Sequence, residues 1–178
     1  MDILQKIYAL PLRTVVMIMF MAIVLWVLAS RIPYIPYKKF WRILNICCFT
    51  ASIAAIMYKT LFSRTPGSYN QLILIPFYSF AEAKIQPEMY RSMLMNCLMF
   101  LPFGLTLPFA LPKNQKHKFL TTVLSAMTLS LLIELSQYIF SLGRAEVDDI
   151  ICNTLGAAFG GVSYILSQLL RQPKQEQF

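Results

Sequence analysis

Apolar residues gather along the chain into five runs, 14–30, 41–62, 92–111, 119–140 and 150–170, separated by short polar or basic stretches. A helix rises about 1.5 Å per residue, so about 20 residues cross a hydrocarbon layer about 30 Å thick. Each run has that length. None alternates with a period of two, as barrel strands do, and a backbone in lipid must satisfy its own hydrogen bonds, so each run predicts a helix. The expected fold is all-α: a polytopic membrane bundle of about five transmembrane helices. Residues 1–63 hold two amino-terminal spans, 64–170 a core of one loop and three spans, and 171–178 a short cytoplasmic tail.

Between the second and third runs, residues 63–91 carry Pro66-Gly67, Pro76 and Pro87 around an apolar middle at 72–80. That middle is too short to span, and Pro76 breaks a helix there. The segment reads as re-entrant or lying in the interface, packed against the mouth of the bundle.

Composition supports a lipid environment. The chain is 57% hydrophobic and 13% charged, against about 25% charged in globular domains. The net charge of +8 comes from Lys and Arg clustered between the apolar runs. They read as loop anchors to lipid headgroups rather than as a nucleic-acid surface. Nine of the sixteen, Arg31, Lys38, Lys39, Arg42, Lys113, Lys116, Lys118, Arg171 and Lys174, fall on one side and seven, Lys6 and Arg13 among them, on the other. Basic loops resist translocation, which places the amino terminus outside and the carboxyl terminus inside. The first run lacks a small-x-small cleavage site and is read as a retained span. Cys47, Cys48, Cys97 and Cys152 lie within apolar runs without metal-ligand spacing, so they predict free thiols and no metal site.

Ionisable groups inside a span are costly, on the order of 3 kcal/mol for an acid at a helix centre, and Glu134 therefore stands out. Gln137, three residues on, shares its helical face. The segment after this span holds Gly143, Arg144, Glu146, Asp148 and Asp149, and the fifth run then places Asp149, Asn153, Gly156 and Gly160 on one face. That face is a polar top above a small-residue seam for close helix packing. The third run begins on the same side with Asn96, followed by Pro102 and Gly104; Pro102 predicts a kink. Arg64, just beyond the second run, is the nearest cationic partner for these acids. The candidate polar cluster is thus Arg64, Asn96, Glu134, Gln137, Arg144, Asp148, Asp149 and Asn153, with Pro102, Gly104, Gly156 and Gly160 shaping the helices.

The order and spacing of Asn96 to Gly104 (NCLMFLPFG), Ile133-Glu134-Leu-Ser-Gln137, Gly143-Arg144, Asp148-Asp149 and Asn153 to Gly156 (NTLG) resemble the VanZ-like family of bacterial membrane proteins. The resemblance runs from about residue 64 to 166, and Pro76-Phe77 looks like the family's Pro-Phe in the preceding loop. Family members often carry a polar residue shortly before that pair, where this chain has an apolar run at 72–75. The resemblance implies a cell-envelope protein of a Gram-positive type, linked through the founding member to resistance to teicoplanin and related glycopeptide or lipoglycopeptide antibiotics.

Three functions compete. In the first, a polar vestibule at the outer leaflet binds or handles an amphipathic envelope ligand, a lipid-linked precursor or a lipoglycopeptide, with Arg64 and Arg144 meeting phosphate or carboxylate. In the second, an intramembrane enzyme uses Glu134 or Asp149 as general base and Arg144 as electrostatic stabiliser. No nucleophile–base pair accompanies them, and His117, the only histidine, is predicted across the membrane. The sequence thus weighs against catalysis, and it specifies no catalytic residue and no cofactor. In the third, the protein is a scaffold for envelope enzymes.

Overall fold

The computed structural model describes residues 11–31, 35–67, 69–86 and 88–170. Lys6, Pro87, Arg171, Lys174 and the tail 171–178, on which the expectations above also drew, lie outside the described residues. The elements are α1 (Leu12–Ser30), α2 (Ile35–Met57) running into a π turn (Tyr58–Phe62), β1 (Tyr69–Ile73), α3 (Tyr78–Ala83), α4 (Glu88–Ala110), α5 (Lys118–Ile139), β2 (Leu142–Glu146) and α6 (Val147–Leu169). Five helices, α1, α2 with its π turn, α4, α5 and α6, are long and apolar enough to cross a membrane. They correspond to the five apolar runs, and the chain is a multi-pass membrane protein.

Helix α4 is the axis of the bundle: 56% of its span is buried, against 17% for each of the first two spans. It reaches that position because α6 offers it a face with no side chains in the way. A Cβ on Gly156 would lie 2.1 Å from the Cys97 carbonyl oxygen, and one on Gly160 would lie 2.4 Å from that of Leu101. The approach is reciprocal, since a Cβ on Gly104 would lie 2.0 Å from the Ala157 carbonyl oxygen. Small residues let backbones meet at this range, where dispersion rather than hydrophobicity drives helix association in lipid. Pro102 and Pro108 both sit inside α4, which continues through them. Thr106 donates its hydroxyl to the Pro102 carbonyl at 2.8 Å, tying the turn that begins at that proline.

Around this axis, Ile56 of α2, Phe100, Phe103 and Leu107 of α4, Ala126 and Ile133 of α5 and Ala157 of α6 form one apolar cluster. A second joins Val15 and Met19 of α1 to Leu101 and Leu105 of α4. The opposite face of α1, with Met17, Phe20, Leu25 and Leu28, is exposed, as a lipid-facing surface is. Polar bonds fix the carboxyl end of α1. The Trp26 indole donates to Asn45, 3.2 Å away and fully buried, and Ser30 donates to the Ser167 hydroxyl at 2.9 Å. Arg31 donates to the carbonyls of Ser167 and Leu170, a cation at the carbonyl end of α6 where the helix dipole favours one.

The segment expected to be re-entrant or interfacial resolves into β1, a turn at Pro76-Phe77 and α3. β1 pairs in parallel with β2, Tyr69 opposite Leu142 and Ile73 opposite Glu146. These strands depart from an all-α reading. They sit at one end of the bundle, the loop side, where 63–88 and 140–147 come together.

Candidate functional site

Three polar clasps hold the loop to the bundle. Asp148, 2% exposed in the first turn of α6, accepts the Phe77 N–H at 2.6 Å and the Ser79 N–H at 2.7 Å. Phe77 has φ +64°, a left-handed conformation costing a side-chain-bearing residue on the order of 1–2 kcal/mol. The carboxylate of Asp148 bonds the N–H of that residue and so supports the turn. The Ser79 hydroxyl donates to Glu146 at 2.6 Å. Arg144 completes the set, 3.0 Å from Glu82 on α3 and 2.8 Å from Glu146 on its own strand. Burial works to lower the pKa of Arg144, but the Glu82 hydrogen bond and the charges of Glu146 and Glu82 outweigh it and hold the pKa above its ordinary value. Its guanidinium stays charged at every accessible pH.

Beneath the clasps lies a layer of buried polar contacts between helices. Glu134, 5% exposed, accepts the Glu146 N–H at 3.0 Å and so joins α5 to the β2–α6 junction. Gln137, one turn further along α5, donates to the Thr60 carbonyl at 3.1 Å, inside the π turn that ends the second span. π turns leave the regular i→i−4 ladder, and here one of the displaced carbonyls is met from another helix. Asn153 donates to Ser130 at 2.8 Å, and Asn96 donates to Asp149 at 2.7 Å across the α4–α6 seam. Asn153 therefore serves α5, although its spacing puts it on the same face as Asp149.

Between clasps and floor is a cleft of about 380 Å³, lined by Arg64, Ser79, Met89, Ser92, Met93, Gly143, Arg144, Glu146 and Asp149. Arg64 extends over Gly143 and donates to the Leu142 carbonyl at 3.3 Å. Gly143 has φ +143°, so the backbone favours glycine there; a Cβ on it would lie 2.6 Å from the Arg64 Nη1, the end of a flexible side chain that can move aside. A larger depression of about 490 Å³ on the flank of α5, lined by Thr121, Leu124, Ser125, Thr128, Leu129 and Leu132, holds no charged group.

Of the eight polar residues singled out from the sequence, Arg64, Arg144 and Asp149 line the cleft. Asn96 holds Asp149, while Glu134, Gln137, Asp148 and Asn153 bond to protein groups behind it. Ser79, Ser92, Glu82 and Glu146 were missed as site residues. Ser79 had a faint signal as a hydroxyl inside the apolar stretch 72–80; Glu82 had none, since its partner is 62 residues away. Among the described residues, no group of His, Cys, Asp and Glu is placed to hold a metal ion. His117 begins α5 at the opposite end of the bundle from the cleft.

A sequence model of the VanZ/LLP1 family matches residues 40–169, well over half of the chain. A curated relative, Protein VanZ of Enterococcus faecium, is 37% identical over 81 residues, which are 44% of this chain and 47% of that protein. The match thus spans about half the length of that relative. No solved structure matches the chain.

Proposed function

From the VanZ/LLP1 family, to which this chain belongs, we propose that the protein contributes to teicoplanin-type glycopeptide or lipoglycopeptide resistance by binding or handling an amphipathic envelope ligand at the loop-side cleft. In this reading the loop side faces outward, the amino terminus is outside and the carboxyl terminus inside. The observation that carries the reading is the cleft itself: a charged recess at the end of a bundle of apolar spans, walled by a loop clasped in three places. Rigid walls favour binding, because less freedom is lost when a ligand seats.

The test is expression in a Gram-positive host without close relatives of the chain. Teicoplanin and vancomycin susceptibility are measured for the parent and for Arg64→Ala, Glu134→Gln, Arg144→Ala and Asp149→Asn at matched membrane levels. The parent is expected to raise teicoplanin tolerance several-fold, with Arg64→Ala and Asp149→Asn removing most of the gain. Equal susceptibility of parent and empty host, or of parent and both variants, overturns the reading.

A further inference from the structure

The charged groups of the cleft divide into those already occupied and those left open. Glu146 has one carboxylate oxygen on the Ser79 hydroxyl and the other on Arg144, and Arg144 is held by two carboxylates. The charge of each is already met within the protein. Arg64 is exposed, and its hydrogen bond is to a neutral carbonyl. Among the described residues, no carboxylate lies within ion-pair distance of it. Asp149 has one oxygen on Asn96, and no described residue donates to the other. The cleft therefore offers a guanidinium that no carboxylate bonds and a carboxylate oxygen that no described donor meets, a pattern complementary to a zwitterion rather than to a simple anion or amine.

Its surroundings specify the rest of the ligand. Met89 and Met93 line the cleft beside the charges. The outward face of the clasped loop is apolar and uncovered, with Leu74, Ile75, Phe77 and Ile85 each more than 60% exposed. That loop lies at the end of five spans, where headgroups meet acyl chains. A ligand with its polar head in the cleft would have its tail run over this surface into the bilayer.

We infer that the cleft takes the headgroup of a membrane phospholipid bearing a primary ammonium, a phosphoethanolamine-type group, with the phosphate on Arg64 and the ammonium on the open oxygen of Asp149. The inference deepens the vestibule reading above and rests on it. Arginine presents a planar fork suited to phosphate oxygens. A primary ammonium brings three N–H donors to a carboxylate, whereas a trimethylated one brings the same charge and no donor.

The experiment is native mass spectrometry of the full chain, released from nanodiscs that contain equal amounts of two lipids with identical acyl chains. Phosphatidylethanolamine is paired in turn with its N-methyl, N,N-dimethyl and trimethyl (phosphatidylcholine) forms. Retention should favour phosphatidylethanolamine by about tenfold over phosphatidylcholine, the size of one charge-assisted hydrogen bond, and fall stepwise as N–H groups are removed. Asp149→Asn should flatten the series, and Arg64→Gln should lower retention of every member. A flat series in the parent overturns the inference, and this arm needs no variant to fold. So does full retention in folded Arg64→Gln. A flat series beside an Arg64-dependent change in teicoplanin tolerance leaves the vestibule standing and removes this ligand. A steep series with no change in tolerance supports the lipid site and removes the resistance reading.

Discussion

Two adjacent carboxylates show how position divides labour between neighbours in sequence. Asp148 turns away from the cleft and takes two backbone N–H groups of the loop, while Asp149 lines the cleft and meets Asn96. Asp148→Ala should cost on the order of 3 kcal/mol, because it leaves two N–H groups without their acceptor and a left-handed Phe77 without support. Asp149→Asn should cost under about 1 kcal/mol, since the amide oxygen still accepts from Asn96. Thermal unfolding in one detergent ranks the two, and a milder loss in Asp148→Ala than in Asp149→Asn would refute this division. The sequence placed both acids in one cluster and had no means to separate them. What separates them is contact with residues 71 and 69 positions away at Phe77 and Ser79, and spacing along a helix carries no trace of that. Arg144 illustrates the same limit: its charge was legible, but not that Glu82 and Glu146 already occupy it.

The helices were legible because apolar length is a local property, and the bilayer converts it directly into structure. The helix that carries the second span begins before its apolar run, at Ile35 rather than 41, because a helix that leaves the hydrocarbon keeps its own hydrogen bonds and carries Lys38 and Lys39 with it. The strands were not legible. Each is five residues long, and what makes them strands is pairing across two intervening spans rather than any local alternation. The seam between α4 and α6 falls between these cases: glycine spacing named a face, and the structure supplies what lies against it. Gly156→Ala sets a carbon against the Cys97 backbone and should destabilise by about 2–3 kcal/mol, as overpacking against an unyielding wall does. Gly161→Ala meets the Phe119 ring at 3.0 Å, an edge that can shift, and should cost under about 1 kcal/mol. Denaturation in mixed micelles distinguishes them; equal losses would mean that the seam is not the tight contact described.

At the scale of the molecule, five spans among the described residues put residues 11 and 170 on opposite sides, and the proposed orientation sends the loop side outward. Lys84→Cys, exposed beyond α3, should react with a membrane-impermeant maleimide in intact cells, and Lys113→Cys, exposed between α4 and α5, only after permeabilisation. The reverse pattern inverts the orientation and puts the cleft in the cytoplasm. Charge counting favours this orientation by nine to seven. The β1–β2 pair also dictates a sequence of events. Its two strands close a ring that contains α3 and all of α4 and α5, so the ring cannot shut until the last loop has been synthesised and has reached the side where β1 waits. Arg64 is made early, and Gly143 beneath it comes 79 residues later. A chain stalled after its fourth span therefore displays a half-built wall with no recess, and a ligand arriving during synthesis finds nothing to bind until insertion is complete.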